Sequence, residues 1–439
     1  MFMRNPNFFR QAPPQDTDQK RFLDAVLNRR NLIASFPLDY PTVSLYSLTG
    51  LISQGLSVVV CHDASKIRRN LEAFRLAGLG FPDVAVLDGT QMPHEERMLH
   101  REINHNRVRI LYITPERFIS LTFLEILVHH PINFVAIEEA ERLLPDMPGH
   151  VLYTKLYEQG LQQLGSLPPI VLMIPTLPPE QVKRLSSRLN FRDYQFIQCS
   201  PSIDSVEIQV KRLLSEHQKF QDLTAFLSGS TTPGSPGRLD EPGSVLIQTA
   251  FPAQAEKLAA SLLDYGFDAV RATHFKKAAW EQAEVFEWAA TQPNAIVVNG
   301  GVELRAWRPA EGAAPKLVFW TPPPSLEGLF MQIFRQPAEK RPPNIRPVQC
   351  RIYHTREDFT AAVKRANPQY AQGDESEKLR ALGHYRKWIM DETCRIQSAA
   401  SFLKGGPALN ISPCGRCDRC LETGRFSRKL RKALENWLY

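Results

Sequence analysis

Long apolar runs are missing from this chain. No stretch approaches the ~18–20 residues that a membrane-spanning helix requires. The start, MFMRNPNFFRQAPPQDTDQK, has no apolar leader core and reads as a polar arm over residues 1–18. Cysteine is scarce as well. Seven in 439 residues are too few for a disulfide framework, which points to a reducing, cytoplasmic setting. What remains, 43% hydrophobic and 23% charged residues, is an ordinary globular composition and excludes wholesale disorder or a collagen-like repeat. At roughly 150 residues per domain, the length suits about three domains.

The charge is uneven. The chain carries +7, and from Arg395 to Tyr439 nine Lys and Arg stand against three Asp and Glu, a local +6. Such a patch suits a phosphate backbone or another acidic partner, or else is the solvated end of a helix.

Between Leu27 and Cys199, short apolar runs alternate with helix-length amphipathic segments. Leu56–Val60, Val84–Leu87, Arg109–Ile113, Phe134–Ile137 and Ile170–Ile174 read as buried strands, and Ser65 to Gly78 as a helix. This alternation predicts a parallel sheet covered on both faces. A Gly, Ser and Pro-rich stretch from Ser228 to Gly243 predicts a flexible domain boundary. The pattern then restarts, with strands at Val245–Ile247, Ala269–Ala272, Ala295–Val298 and Lys316–Trp320 and a helix at Ala253–Tyr265. Glu375 to Lys404 reads as helical, with a break near Gly383.

Cys414, Cys417 and Cys420 stand at C-x₂-C-x₂-C spacing, with Cys394 20 positions upstream near the end of the predicted helix. Four thiolates satisfy a tetrahedral zinc ion, and with no position left for water the site would be structural. Free or redox-active thiols are the alternative. Cys61, Cys199 and Cys350 are isolated in apolar contexts and read as small buried side chains.

With that cluster behind two α/β units, the chain resembles the RecQ family of DNA helicases from about Gln19 to Cys420. Thr393-Cys394-Arg395 with the cysteine run is similar to the family's zinc-binding subdomain. Leu111 to Phe118, LYITPERF, is close to its L-Y-x-x-P-E-R-L motif, and Leu87 to Gln91, LDGTQ, resembles L-N-S-T-Q. Leu56–Val60 resembles the strand entering motif Ia, and Gly149-His150 part of the aromatic-rich loop, although the Trp central to that loop is missing nearby. The resemblance implies two RecA-like lobes and a helical zinc-binding subdomain. The expected organisation is a lobe at 19–227, a linker at 228–243, a second lobe at 244–370 and a zinc subdomain with a basic terminal helix at 371–439.

The residues that hydrolyse ATP in that family are eroded here. A phosphate loop needs backbone N–H donors, a Lys for the outer phosphates and a hydroxyl for Mg²⁺. The matching stretch, Ala34 to Ser44, has no Gly and no Lys, carries Pro37 and Pro41, and places Asp39 where phosphate would approach. No Gly-Lys dipeptide occurs anywhere in the chain. Glu138-Glu139-Ala140-Glu141 replaces Asp-Glu-Ala-His. Glu138 could still hold Mg²⁺ and Glu139 orient a water, or the run simply ends a strand. Of motif VI, Gln332 and Arg335 remain without their glycines, and Val298 to Leu304 lacks the motif V pattern. ATP and Mg²⁺ are therefore not expected as cofactors.

The leading expectation is a DNA-binding pseudo-helicase that acts as an accessory factor in repair, recombination or uptake and works with an unidentified protein partner. A divergent active helicase and an interaction scaffold that no longer touches nucleic acid are the alternatives. The candidate contacts to single-stranded or tailed DNA are Lys66, Arg68 and Arg69, then Arg416 and Arg419, and a terminal stripe of Arg428, Lys429, Arg431 and Lys432 beside Arg425. Trp437 and Tyr439 could stack on bases or pack in a core. Because the sequence stops soon after the cysteines, the winged-helix and HRDC modules of many family members are not expected, and strong duplex- or junction-specific binding is less expected.

Overall fold

The computed structural model describes residues 17–37, 40, 42–52, 55–76, 78–144, 147, 149–164, 168–191, 193–199, 206–229, 243–301, 307, 309–310, 314–323, 325–334, 347–355, 357–358, 375–405 and 412–422. The chain divides into two compact units, residues 1–201 and 202–439. Among the described residues, no helix is long and apolar enough to cross a membrane.

The first unit runs α1 (Thr17–Leu27), β1 (Asn31–Ser35), α2 (Val43–Ile52), β2 (Leu56–Val60), α3 (Ala64–Leu76), β3 (Val84–Leu87), α4 (Pro93–Asn104), β4 (Ile110–Ile113), α5 (Pro115–Phe118), α6 (Leu121–Val128) and β5 (Ile132–Ile137). It continues through a 3₁₀ turn at Ala140–Leu143 to α7 (His150–Lys155), β6 (Ile170–Ile174), α8 (Pro179–Arg188) and β7 (Tyr194–Gln198). The seven strands form one parallel sheet in the order β3-β4-β2-β5-β6-β1-β7. Every residue of β2, β4 and β6 is buried, as strands covered on both faces must be. In a parallel sheet all carboxyl ends share one edge. The loops after β1, β2 and β5 therefore meet there, and the acidic run after β5 lies on that edge.

The second unit begins earlier than the sequence predicts. Strand β8 (Val206–Arg212) pairs in parallel with β13 (Val348–His354), from Val206 against Val348 to Arg212 against His354. Helix α9 (Glu216–Ser228) follows and buries Leu223 and Leu227 in the second core. Residues 202–227, expected in the first lobe, thus belong to the second unit. The Gly, Ser and Pro-rich stretch marks a connection correctly but not a boundary, because composition does not say which sheet a strand joins. Its residues 230–242 lie outside the described ones. The unit then runs β9 (Gly243–Thr249), α10 (Pro252–Tyr265), β10 (Val270–His274), α11 (Ala279–Thr291), β11 (Ile296–Gly300), β12 (Ala314–Phe319), α12 (Leu326–Ile333) and β13. The sheet is again parallel, in the order β10-β11-β9-β12-β13-β8.

Two further helices follow, α13 (Glu375–Met390) and α14 (Arg395–Lys404), and residues 418–422 are again helical. The predicted break near Gly383 is absent, since α13 passes through that glycine and a Cβ there would meet nothing. The break falls instead at residues 391–394, where the Asp391 carboxylate accepts from Thr393 N (3.1 Å) and Thr393 Oγ1 (2.8 Å). A local side-chain-to-backbone bond of this kind competes with helix continuation. Cys394 therefore caps the start of α14 rather than closing a helix. Tyr385, Trp388, Ile389, Ile396 and Leu403 join one apolar core with Val206, Leu246 and Phe330. The described part of the expected zinc subdomain is continuous with the second lobe.

A fragment of residues 202–439 should unfold as one cooperative unit in urea. Starting at residue 244 removes the buried Val206, Ile208, Leu223 and Leu227 and exposes an edge of β13. That fragment should aggregate or lose its cooperative transition, as circular dichroism would show.

Candidate functional site

The acidic run at the carboxyl edge of the first sheet is built inward. Val60 pairs with Ile137, and Glu138 N donates to Val60 O at 2.9 Å, so whatever follows β2 faces whatever follows β5. After β2 the chain turns at Asp63, whose carboxylate accepts from Lys66 N at 3.0 Å and fixes the first turn of α3. That turn aims Lys66 at the acidic run. Lys66 Nζ donates to Glu138 Oε2 at 2.7 Å, and Tyr46 Oη of α2 donates to Glu138 Oε1 at 2.7 Å. Glu138 is 3% exposed. Both of its oxygens are thus committed to the protein's own donors.

The neighbouring groups complete the enclosure. Burial, then the Glu138 charge, push the Tyr46 phenol well above its usual pKa, which keeps it a donor. Burial alone would lower the Lys66 pKa, but the Glu138 charge more than reverses this and holds the ammonium protonated. Glu139 adopts a left-handed backbone (φ 58°), a costly state for a non-glycine residue, and its carboxylate accepts from Arg142 Nε at 2.6 Å. Tyr153 Oη donates to Glu138 O at 3.0 Å. Glu141 is fully buried beside them. The loop after β1, where a phosphate cradle would stand, instead stacks Phe36 on Tyr40, ring centroids 4.0 Å apart and both rings buried. Phe36 N and Tyr40 N already donate to Ile174 O and Pro37 O, both at 2.9 Å. Asp39 lies outside the described residues.

The second site is the cysteine cluster. The sulfurs of Cys394, Cys414, Cys417 and Cys420 all lie within 4.8 Å of one another, with Cys414–Cys420 and Cys417–Cys394 both at 4.0 Å. Four sulfurs at the usual ~2.3 Å from one tetrahedral ion would stand about 3.8 Å apart, so the donor set fits a metal ion such as zinc. Backbone N–H groups point at the sulfurs, Cys414 N to Cys394 Sγ (3.3 Å) and Cys417 N to Cys414 Sγ (3.4 Å). Burial raises the Cys394 pKa, but the backbone N–H groups of Cys414 and Gln397, with the Cys414 and Cys420 thiols, outweigh it and bring the thiol down to about 7.

Arg395, 1% exposed, ties this cluster to its lobe. Its guanidinium donates to Trp388 O, to Ile389 O (3.0 Å) and to Asp418 Oδ2 (3.0 Å), and lies 5.2 Å from the centroid of the Trp388 ring. The carbonyls at the end of α13 and the carboxylate between Cys417 and Cys420 are thereby bound to one residue.

The other predicted contacts scatter. Arg68 and Arg69 are exposed on α3 and Arg416 is half-buried in the cysteine loop. Arg419 is drawn inward, donating to Asp391 O (2.9 Å) and Glu422 (3.2 Å). Lys66 is likewise spent on Glu138, so neither cation has its charge turned to solvent as expected of a phosphate contact. Gln332 sits on α12, its Oε1 without a hydrogen-bond partner among the described residues. Arg335, the terminal Arg425, Arg428, Lys429, Arg431 and Lys432, and Trp437 and Tyr439 lie outside the described residues. Sequence reasoning missed Tyr46 and Arg142, for which no local motif exists. It quoted Arg395 only as a neighbour of Cys394.

No protein-family model matches the chain. An ATP-dependent DNA helicase RecQ of Pasteurella multocida is 21% identical over 411 residues, 92% of this chain and 60% of that protein. One of Synechocystis sp. is 22% identical over 262 residues, 57% of this chain and 51% of that protein. The chain is distantly similar to RecQ helicases. It spans between half and three-fifths of the length of these two relatives. Among solved structures, Mycobacterium smegmatis helicase Lhr bound to ssDNA and AMP-PNP matches 82% of this chain and 49% of its own, at TM-score 0.57 and 15% identity. S. cerevisiae Dbp5 bound to RNA and ADP BeF3 matches 88% of this chain and 96% of its own, at TM-score 0.59 and 14% identity. Both parallel-sheet lobes therefore have the RecA-like fold of helicase domains.

Lys66→Met leaves Glu138 a buried carboxylate without its cation, which should cost about 3–5 kcal/mol in urea unfolding. Adding Glu138→Gln should recover most of that loss. A single-variant cost below about 1 kcal/mol would make the pair a solvated one.

Proposed function

We propose that this chain is a RecQ-like nucleic-acid-binding protein that no longer hydrolyses ATP and serves as an accessory factor in DNA repair, recombination or uptake. The observation that carries this reading is the state of Glu138. In a nucleotide-hydrolysing lobe, the carboxylate at this position holds Mg²⁺ beside the phosphates. Here Lys66 supplies the positive charge and Tyr46 takes the second oxygen. The stacked Phe36–Tyr40 pair and the loss of Gly and Lys from the preceding loop support the same conclusion. Distant similarity to DNA helicases supports single-stranded or tailed DNA as the ligand, with Arg68, Arg69 and the basic carboxyl-terminal segment as its phosphate contacts.

In this reading the four cysteines hold a structural zinc. The ion supplies folding free energy to the loop that carries Cys414, Cys417 and Cys420. Arg395 and Asp418 carry that order into the Trp388 core.

Purified protein should bind no ATP at millimolar concentration and hydrolyse none, with or without single-stranded DNA. DNA-stimulated hydrolysis would return it to the active helicases. Metal analysis should find one zinc per chain. Cys417→Ser or a strong chelator should lower the melting temperature and expose residues after about 375 to proteolysis, and unchanged stability would remove the four-cysteine assignment.

A further inference from the structure

Two helices of the second unit turn opposite charges to solvent. Helices α11 and α13 pack on one core, through Val285, Phe286 and Ala289 of the first and Tyr385, Trp388 and Ile389 of the second. The strand residues of that core, Leu246, Val297 and Leu317, alternate with those of the other core, so both helices lie on one side of the sheet.

Over residues 379–390, α13 carries Arg380, His384, Arg386 and Lys387 and no acid. All four are exposed, and none of their side chains has a partner among the described residues. Leu379 and Met390, at the two ends of this face, are 41% and 56% exposed. With Gly383 and Arg386 between them, they form one stripe along the helix at i, i+4, i+7 and i+11. Gly383 leaves the stripe open in the middle, where a Cβ would meet nothing within 4 Å. Helix α11 is the reverse. It holds Glu281, Glu284 and Glu287 and no cation. Trp280, 66% exposed, shares a stripe with the exposed Glu284 and Glu287. Glu281 accepts from Ala278 N at 2.7 Å and so caps the helix, and Arg271 of β10 lies 4.4 Å from the centroid of the Trp288 ring. Glu284 has no partner among the described residues.

Exposed Trp, Met and Arg are the residues that protein interfaces favour. A phosphate backbone would use the cations of α13 but leave Leu379 and Met390 in water. The surface that matches both the charge and the apolar stripe is on the same chain. We propose that α13 is a docking face for α11 of a second copy of this protein. Under a two-fold axis each copy supplies both helices, so the same contact forms twice and the assembly closes as a dimer. Set antiparallel, as helix dipoles favour, the stripes bring Met390 to Trp280 and Arg386 to Glu284. Glu287 then falls opposite Gly383, where there is room. The pairing goes beyond the reading above and does not depend on it.

The test is sedimentation of the full chain at low salt across a micromolar concentration series. The parent should reach a dimer and go no further. Molar salt, with a Debye length of about 3 Å, should weaken that dimer. Arg386→Glu and Glu284→Lys should each weaken it about ten-fold or more, because each sets like charges face to face. Both positions are exposed, so the variants should melt with the parent. Mixed in equal amounts, the two variants should recover the dimer, because one contact then has both charges exchanged and the other has neither. Trp280→Ala should weaken the dimer without changing its salt dependence. A parent that stays monomeric, an assembly that grows without limit, or a mixture that fails to recover the dimer overturns the pairing. If the parent is monomeric and Arg386→Glu instead weakens its binding to a single-stranded DNA, the face is a phosphate contact and the pairing is wrong.

Discussion

A carboxylate taken out of water must find a cation, and in the first lobe that cation is Lys66. The requirement is stringent because Glu138 stands at the buried carboxyl edge of a sheet covered on both faces. A divalent ion answers it when a nucleotide brings one in. Here the answer comes from the first turn of the neighbouring helix. Tyr46, Tyr153 and Arg142 then close the remaining polar groups around it. Removing one partner from such a pair costs far more than the pair itself contributes. Losing Lys66 alone would leave a bare charge inside the lobe.

How much of this was legible depended on how far apart the partners lie in sequence. Strands β2, β3 and β6 were readable to the residue, since largely buried parallel strands appear as short, mostly apolar runs. Strand β8, VEIQVKR, was not, because it lies at the edge of its sheet and alternates apolar with polar residues next to a region already assigned. The break between α13 and α14 was misplaced for a related reason. Glycine is a weak helix breaker when nothing crowds it, whereas Asp391 and Thr393 bond their own backbone and end the helix.

The two candidate sites divide in the same way. Three of the four cysteines announce themselves within seven residues, and local spacing alone brings their sulfurs together. Lys66 and Glu138 are 72 positions apart and meet only because β2 and β5 are neighbours in the sheet. Sequence reading could register that Ala34 to Ser44 has no Gly and no Lys. It could not see the Lys66–Glu138 pair, and so it assigned Lys66 to the outside. Arg395 was missed differently. A guanidinium 1% exposed is rare, and nothing in the sequence separates it from the exposed arginines of the same segment.

Placing β8 and α9 in the second unit changes what the Gly, Ser and Pro-rich segment connects. Both of its flanks belong to the same body, with β8 held in a seven-residue parallel ladder and Leu223 and Leu227 sealed in the core. A cut between α9 and β9 would therefore not release one lobe from the other. The nicked halves would stay joined as one folded object, and only denaturant would reveal that the chain had been severed. The same property makes this connection, rather than the junction near residue 201, the place where foreign sequence could be inserted without coming between the lobes.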